Sequence, residues 1–167
     1  MCIRDSTDTI SRVDPTCGPT GVQDFTSSDS ADISRGVQYT VSVIMGTCGG
    51  TYSGVLSAWI DFNADGDFDD AGEQLGVVSG SPTFTHDFTF VVPSTAVLGG
   101  SRLRVVQREG SITPTPCGSF GYGSVEDYKL RITNLNTPVC TQPTTLSSSN
   151  VTWSSADILW SAPGASQ

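Results

Sequence analysis

Apolar and polar residues alternate along much of the chain, which is the spacing of a β-strand with one buried face. Segments 37–45, 84–92, 102–108 and 126–132 each place mostly apolar side chains at every second position. Segment 54–60, GVLSAWI, is apolar or small throughout, so both of its faces are predicted to be buried. Clusters rich in Gly, Ser and Pro separate these runs, and helical spacing of apolar residues is nearly absent. The pattern predicts an all-β fold, an antiparallel β-sandwich of the jelly-roll or Ig-like type.

Composition divides the chain into four parts. Residues 1–7 have the character of a non-native or disordered start, and residues 8–134 form the predicted sandwich, with an edge strand near Asp8–Val13. Residues 135–139 are interpreted as a polar linker. Residues 140–167 contain two short apolar runs joined by a polar turn. Since about thirty residues bury too little apolar surface to fold alone, we expect the first hairpin of a truncated second β-domain, the alternative being extra strands on the first domain.

Charge content narrows the functional classes. The 167 residues carry 8 Lys plus Arg against 17 Asp plus Glu, for a net charge of −9. A nucleic-acid-binding protein needs a basic face, so the sequence predicts no nucleic-acid partner. No apolar run reaches the roughly 18 residues of a membrane-spanning helix, so no membrane insertion is predicted. The Ser-, Thr-, Gly- and Asp-rich composition favours a secreted or cell-surface location, with no signal sequence in this segment.

Four cysteines occur in loop-like contexts, and none has the CxxC or CxxH spacing of a structural zinc site. Disulfides formed in an oxidising compartment are therefore favoured. A bridge between Cys17 and Cys48 is the first choice, and it would close a loop of about thirty residues. The other pairings, which involve Cys117 and Cys140, stay open because sequence does not choose among them.

The most informative segment follows the apolar run at 54–60. In WIDFNADGDFDDAGEQL, six acidic residues fall within thirteen consecutive positions. Like charges at this density repel one another, and a bound cation removes the repulsion. Asp61, Asn63 and Asp65 stand at alternate positions before a glycine, as at the start of a calcium loop, and Asp67 would supply its main-chain carbonyl at the seventh position. The sequence therefore predicts a Ca²⁺ site.

This loop departs from the helix–loop–helix pattern. The closing acid is expected at the twelfth position, which is Gly72, whereas Glu73 comes one position later and is the candidate late ligand. A strand also leads into the loop where a helix would be expected. We therefore predict a calcium loop grafted on a β-domain, and magnesium fits less well because it demands stricter octahedral geometry. The alternative is a solvated acidic turn, since Asp, Asn and Gly are ordinary turn residues.

Three motifs occur in a fixed order: WIDFNADGDFDDAGE, then RLRVVQRE, then PCGSFGYGSVEDY followed by KLRI. Together they resemble the GEVED domain, a module of secreted and surface-attached bacterial proteins, over residues 8–134. The Gly-Glu-Val-Glu-Asp stretch that names the family is GSVED at 123–127 here, with one difference. The tail resembles the beginning of a fibronectin type III domain. The resemblance implies an all-β extracellular module of a long multidomain chain, pairing of Cys117 with a cysteine upstream of this segment, and no catalytic activity.

Strand parity predicts which face of its strand Glu126 occupies. It shares a face with the apolar residues of segment 128–132, which is the predicted core side. A carboxylate that points toward a core needs a cation or several donors. The two alternatives are the calcium ion, with Glu126 as a distant ligand, and an arginine such as Arg102 or Arg104. Asp127 falls on the opposite face and is expected to be solvated or to cap a turn.

Aromatic residues near glycines support a second functional hypothesis. Tyr52, Phe120 and Tyr122 would stack on sugar rings if exposed, as in a carbohydrate-binding accessory module of a secreted enzyme, although packing on the sheet is the commoner role of such a tyrosine. The single histidine, His86, is expected at the edge of the core, and no GxSxG motif is present, so no enzyme is predicted. The favoured function is a non-catalytic calcium-binding module for adhesion or structural spacing. Its partners would be neighbouring domains of the same chain, and a polysaccharide or surface protein.

Overall fold

The computed structural model describes residues 2–3, 10–12, 22–47, 49–135 and 146–160. Contacts divide the chain into two units, Met1–Leu135 and Asn136–Gln167. All regular structure in the described residues is β-strand, which confirms the predicted fold class. A helix long and apolar enough to cross a membrane is not found among them.

Nine strands lie in the described part of the first unit: β1 (Cys2–Ile3), β2 (Val22–Asp24), β3 (Ser30–Ser34), β4 (Gln38–Ile44), β5 (Gly54–Ile60), β6 (Gln74–Gly80), β7 (Thr85–Val91), β8 (Gly99–Glu109) and β9 (Gly123–Thr133). The described part of the second unit holds β10 (Leu146–Ser149) and β11 (Asp157–Trp160), which pair antiparallel. This is the hairpin predicted from its two apolar runs.

Two sheets form the sandwich of the first unit. One has the order β1-β4-β7, and the other has the order β2-β9-β8-β5-β6 with β3 also beside β9. The predicted antiparallel pairing holds for most neighbours, but β2 and β3 both run parallel to β9. They lie end to end along its edge, because the turn at 26–28 interrupts what would otherwise be one strand. The larger sheet is therefore mixed.

The alternating segments place their apolar residues in one core between the sheets, as the pattern predicts. Residues 39, 41 and 43 of β4 are buried, and both faces of β5 are buried throughout. Phe84 is an exception at 63% exposure, because β7 begins only at Thr85. His86 is half-buried with its ring over Gly80, at the edge of the core. Of the predicted edge strand near Asp8–Val13, residues 10–12 are described; there Ser11 forms an isolated bridge.

A second, smaller cluster covers the outer face of the larger sheet. It comprises Trp59, Phe68, Val106 and Val125, with Phe120 packed against it. Phe68 belongs to the loop between β5 and β6, so that loop folds back over the sheet it leaves. This cluster explains why β5 is buried on both sides, and it fixes the acidic loop against the sandwich.

Candidate metal centre

The acidic loop joins β5 to β6 and is anchored where it begins and ends. The amide of Ile60 donates to the carbonyl of Glu73 at 2.9 Å, which closes the base of the loop. The amide of Asp61 donates to the carbonyl of Arg102 at 3.1 Å, and the hydroxyl of Ser101 donates to the carbonyl of Asp61 at 2.6 Å. The loop therefore starts from a strand whose neighbour, β8, holds its first residue in place.

Alternate polar side chains organise the interior of the loop. The side chains of Asn63, Asp65 and Asp67 each accept a hydrogen bond from the amide two residues later, at 3.0–3.1 Å. Such turns between a side chain and the following backbone are the local preference of Asn and Asp. Gly66 has a φ of 94°, which an L-residue rarely adopts, and its amide donates to Oδ2 of Asp61 at 3.1 Å. The alternate positions that suggested a calcium loop thus form a series of consecutive turns, in which each polar side chain accepts a hydrogen bond from the amide two residues later.

The first and last residues of this loop are buried carboxylates. Asp61 is 6% exposed and Glu73 is 2% exposed. One oxygen of each is satisfied: Asp61 Oδ2 by the amide of Gly66, and Glu73 Oε1 by the amide of Phe62 at 2.8 Å. The other oxygens, Asp61 Oδ1 and Glu73 Oε2, are buried with no hydrogen-bond partner among the described residues. Burial raises the pKa of Glu73; neighbouring main-chain amides, that of Phe62 first, oppose the rise, and the charge of Asp61 adds to it. An isolated buried carboxylate oxygen is costly, so these two atoms require a cation or a proton.

Three exposed carboxylates of the loop form a group close enough to share one ion, and neither Asp61 nor Glu73 belongs to it. Oxygens of Asp65, Asp67 and Asp70 all fall within 4.8 Å of one another. Asn63 donates from Nδ2 to Oδ2 of Asp65 at 2.7 Å and to Oδ2 of Asp70 at 2.6 Å, and so links two of the three. The amide of Asp67 and the side chain of Asn63 lower the pKa of Asp65. These contacts hold the charged groups together in a region where they would otherwise repel one another.

Asp70 is the residue of this centre that the sequence reasoning did not select. It lies at the tenth position of the loop, outside the alternating positions that define a calcium loop, and its only signal was membership of the acidic run. The main-chain carbonyl of Asp70 also accepts from the amide of Glu73 at 3.2 Å. A turn between residues 70 and 73 therefore brings its side chain back toward Asn63.

The structure does not bring Glu126 to this loop. Its carboxylate accepts a hydrogen bond from the hydroxyl of the buried Tyr128 at 2.6 Å, on the inner face of β9. Across the sheet Glu126 pairs with Val105, which pairs with Ala58. Ala58 precedes Asp61 by three residues, about 10 Å along a strand. The partner of Glu126 is therefore a phenol, rather than the cation or arginine that the sequence suggested.

The arginine expected for Glu126 pairs with Asp127 instead. Asp127 is 2% exposed, which corrects the expectation that it is solvated. Nε and Nη2 of Arg104 each donate to one carboxylate oxygen of Asp127 at 2.7 Å. The reason is the register of β8 and β9, which places these two residues opposite each other on the outer face, under the covering cluster.

The Arg104 guanidinium connects this pair to two loops. Its Nη1 donates to the carbonyl of Pro116 at 3.0 Å, and its centre lies 5.1 Å from the ring centroid of Phe68. The RLRV, PTPCG and GSVED segments therefore meet at one arginine, and the acidic loop rests on it. Sequence parity placed Asp127 on the face away from the core, and the register of β8 and β9 shows that Arg104 stands opposite it there.

The other candidate residues are dispersed. Tyr52 and Tyr122 are 53% and 76% exposed, whereas Phe120 is partly buried against the outer cluster. Phe120 therefore packs on the sheet, whereas Tyr122, which was expected to do so, is exposed to solvent. The predicted Cys17–Cys48 bridge lies outside the described residues, and Cys117 is exposed with a free thiol within the described part.

Residues 55–131 match the family model of the GEVED domain. No curated protein and no solved structure matches the chain. The match confirms the resemblance for those residues, whereas the fibronectin type III resemblance of residues 140–167 gains no support from it. The matched range runs from β5 into β9 and contains the acidic loop and the Arg104–Asp127 pair. The part of the chain that forms the candidate metal centre is thus similar to the GEVED domain, which suggests a module of a multidomain protein.

Proposed function

We propose that the sandwich is a non-catalytic calcium-binding module of a larger secreted or cell-surface bacterial protein, serving adhesion or structural spacing. The observation that supports this most directly is that two buried carboxylate oxygens, Asp61 Oδ1 and Glu73 Oε2, have no hydrogen-bond partner among the described residues, at the two ends of the acidic loop. In a solvated acidic turn the carboxylates are exposed and hydrogen-bonded to water, so two buried carboxylates with one unsatisfied oxygen each are not expected. A hard cation with oxygen ligands would satisfy a buried carboxylate oxygen of this kind.

The proposed ligands come from one loop. Asp61 and Glu73 supply the buried oxygens; Asn63, Asp65, Asp67 and Asp70 supply the remaining groups. Calcium takes 6–8 oxygen ligands in flexible geometry, which suits a loop that gathers carboxylate, amide and carbonyl oxygens from many positions. Magnesium would retain waters and needs near-ideal octahedral geometry, so it suits this set less well. Glu126 is not included, since it is bonded to Tyr128 on the other face.

The ion would act on stability rather than on chemistry. It would neutralise an acidic loop that spans from β5 to β6 and also contacts the segment before β8, where the amide of Val97 donates to the carbonyl of Phe62 at 2.7 Å. A ligand that binds only the folded chain stabilises it by about 2.7 kcal/mol at one hundred times its dissociation constant. Calcium at extracellular concentration would thus keep the end of the module rigid. A fibronectin type III-like domain beginning at residue 140 is the proposed neighbour.

Calcium titration with thermal unfolding tests this function. We expect calcium to raise the melting temperature of the chelator-treated protein and to bind with one strong site in calorimetry. Asp61→Asn and Glu73→Gln should each abolish the shift. Asp69→Asn is the matched control, because Asp69 belongs to the same acidic run but contributes only its amide to the loop contacts. A protein whose unfolding is the same in calcium and in chelator would rule the function out.

A second candidate function is carbohydrate binding by the two exposed tyrosines. Their segments lie beside each other, since the carbonyl of Tyr122 accepts from the amide of Glu109 and the carbonyl of Ser53, next to Tyr52, accepts from Gly110. Exposed aromatic rings in such a place can stack on sugars. A glycan array with the wild type and with Tyr122→Ala decides this: binding that the substitution removes supports the function, and an array without signal rejects it.

A further inference from the structure

A cavity of about 180 Å³ lies between the acidic loop and the segment that joins β7 to β8. Both segments line it, and its polar lining residues are Asn63, Asp70, Glu73 and Thr95. Among the described residues that line it, two are acidic and none is basic. Because two carboxylates share this small space without a counter-charge in its walls, the cavity favours a cation.

Glu73 is the buried carboxylate of this cavity. It is 2% exposed, its Oε1 accepts from the amide of Phe62 at 2.8 Å, and its Oε2 has no hydrogen-bond partner among the described residues. Asp61, the other buried carboxylate of the loop, is not among the described residues that line this cavity. A cation that satisfies Glu73 would therefore occupy this space, which has room for an ion and several coordinated waters at roughly 30 Å³ each.

The wall that the loop does not supply is a turn over residues 93–96, held in place by hydrogen bonds. The amide of Ala96 donates to the carbonyl of Pro93 at 3.1 Å and closes the turn. Nε of Arg35 donates to the carbonyl of Ala96 at 2.7 Å. The amide of the next residue, Val97, donates to the carbonyl of Phe62 at 2.7 Å. The turn is thus attached both to the chain after β3 and to the acidic loop.

Thr95 lies in the middle of this turn and is exposed at the cavity. Its hydroxyl forms no hydrogen bond with another described residue, so its oxygen keeps both lone pairs available. We propose that calcium binds in this cavity on Glu73 and Asp70, and that Thr95, which lies outside the acidic loop, is a further ligand. This proposal rests on the calcium-binding function proposed above. The ion would then connect the loop after β5 to the segment that crosses from one sheet to the other.

Calcium calorimetry with the full chain tests the added ligand. Thr95→Val removes the hydroxyl and keeps the shape of the side chain, so we expect the calcium affinity to fall roughly tenfold, the lower end of what a lost polar group costs a metal site. Thr95→Ser keeps the hydroxyl and should retain the affinity within about twofold. Thr113→Val is the matched control, because Thr113 is exposed in another loop and does not line the cavity. A Thr95→Val protein with wild-type affinity would overturn the proposal.

Terbium in place of calcium gives a readout that a change in stability alone would not move. The decay of its luminescence in water and in heavy water reports how many water molecules are bound to the ion. Thr95→Val should raise that number by about one, since water takes the position of the lost hydroxyl, and Thr113→Val should match the wild type. The same number of bound waters in Thr95→Val and in the wild type would show that Thr95 is not a ligand.

Hydrogen exchange separates this proposal from the calcium function itself. In the wild type, calcium should slow the exchange of the amides of residues 94–97 as well as those of the acidic loop. Calcium-induced protection that is confined to the loop overturns the role of Thr95 and leaves the calcium function standing. A wild-type protein that binds no calcium in calorimetry rejects the function, and this proposal with it.

Discussion

Arg104 and Asp127 face each other across β8 and β9, joined by two parallel hydrogen bonds of 2.7 Å. Their side chains are 12% and 3% exposed, so the pair is largely withdrawn from water. Breaking a buried pair by removing one partner leaves an uncompensated charge and costs roughly 3–5 kcal/mol. Asp127→Asn should therefore lower the free energy of unfolding by about that amount in urea denaturation.

The exposed pair of Asp32 and Arg131 provides the comparison for this prediction. Its side chains are 38% and 63% exposed, so Asp32→Asn should cost no more than about 1 kcal/mol. Equal losses in the two variants would mean that Asp127 does not have the structural importance assigned to it.

Replacing Glu73 should separate stability from calcium binding. In chelator, Glu73→Gln removes a buried charge that has one unsatisfied oxygen and lies near Asp61, so we expect the variant to be more stable than the wild type at pH 7. In calcium the order of stability should reverse, because the variant lacks a proposed ligand. Its calcium affinity should fall more than about 100-fold, which exceeds the loss caused by removing an outer-sphere partner. A variant that is less stable in both conditions would contradict the role of Glu73.

The stability of the wild type and of Glu73→Gln should depend differently on pH, because only the wild type has the carboxyl group of Glu73. The folded pKa of Glu73 is raised above its ordinary value of 4.5, chiefly by burial, so the folded chain binds this proton more tightly than the unfolded chain. Its contribution to stability is present below pH 4.5 and is lost as the pH rises through the raised pKa. In chelator, the free energy of unfolding of the wild type minus that of Glu73→Gln should fall as the pH rises from 4.5 through the raised pKa. Denaturant midpoints at several pH values measure this difference. A difference that rises with pH would show that Glu73 is stabilised as a carboxylate even without metal.

Phe68 is expected to connect the loop to the sheet. It is buried in the outer cluster with Trp59, and Phe→Ala substitutions in such places cost about 3–5 kcal/mol. Phe68→Ala should therefore destabilise the module and also weaken calcium binding, since the loop loses its support. Phe84→Ala is the control, because Phe84 is mostly exposed and should change both quantities little. Unfolding in urea and calcium calorimetry measure the two effects.

Glu126 should be dispensable for calcium. Its carboxylate accepts from Tyr128 and is separated from the loop, so Glu126→Gln should leave the calcium affinity within about twofold of wild type. Tyr128→Phe should cost about 1–3 kcal/mol, because it leaves the Glu126 carboxylate without its donor. Loss of calcium affinity in Glu126→Gln would instead restore Glu126 to the ligand set.

The layers of the fold followed from local patterns. Alternation in β4 and β9 identified their buried faces, and the all-apolar GVLSAWI run identified a strand covered on both sides. The parallel pairing of β2 and β3 with β9 was beyond sequence reasoning, because more than ninety positions separate the partners and neither strand carries a signal for its direction. Non-local pairing depends on the whole sheet rather than on the strand.

In the candidate site, too, the local features were predictable from the sequence and the non-local ones were not. The residues at alternate loop positions were identifiable, because the local turn preferences of Asn and Asp impose the same spacing as calcium coordination does. Asp70 was missed, since a turn after the regular part of the loop brings it in. Asp127 was assigned to solvent because parity tells which face a residue occupies, but not whether another loop covers that face. The Phe68 cluster provides that cover.

β5 is hydrogen-bonded on both edges and buried on both faces, and the acidic loop leaves directly from its last residue. Its amide protons should exchange with heavy water only when the whole sandwich opens, whereas those of the loop's exposed turns should exchange within the folded state. Protection should therefore change abruptly between Ile60 and Asn63. An ion held in such a loop can enter and leave on the timescale of local breathing, while the sandwich beneath it stays closed.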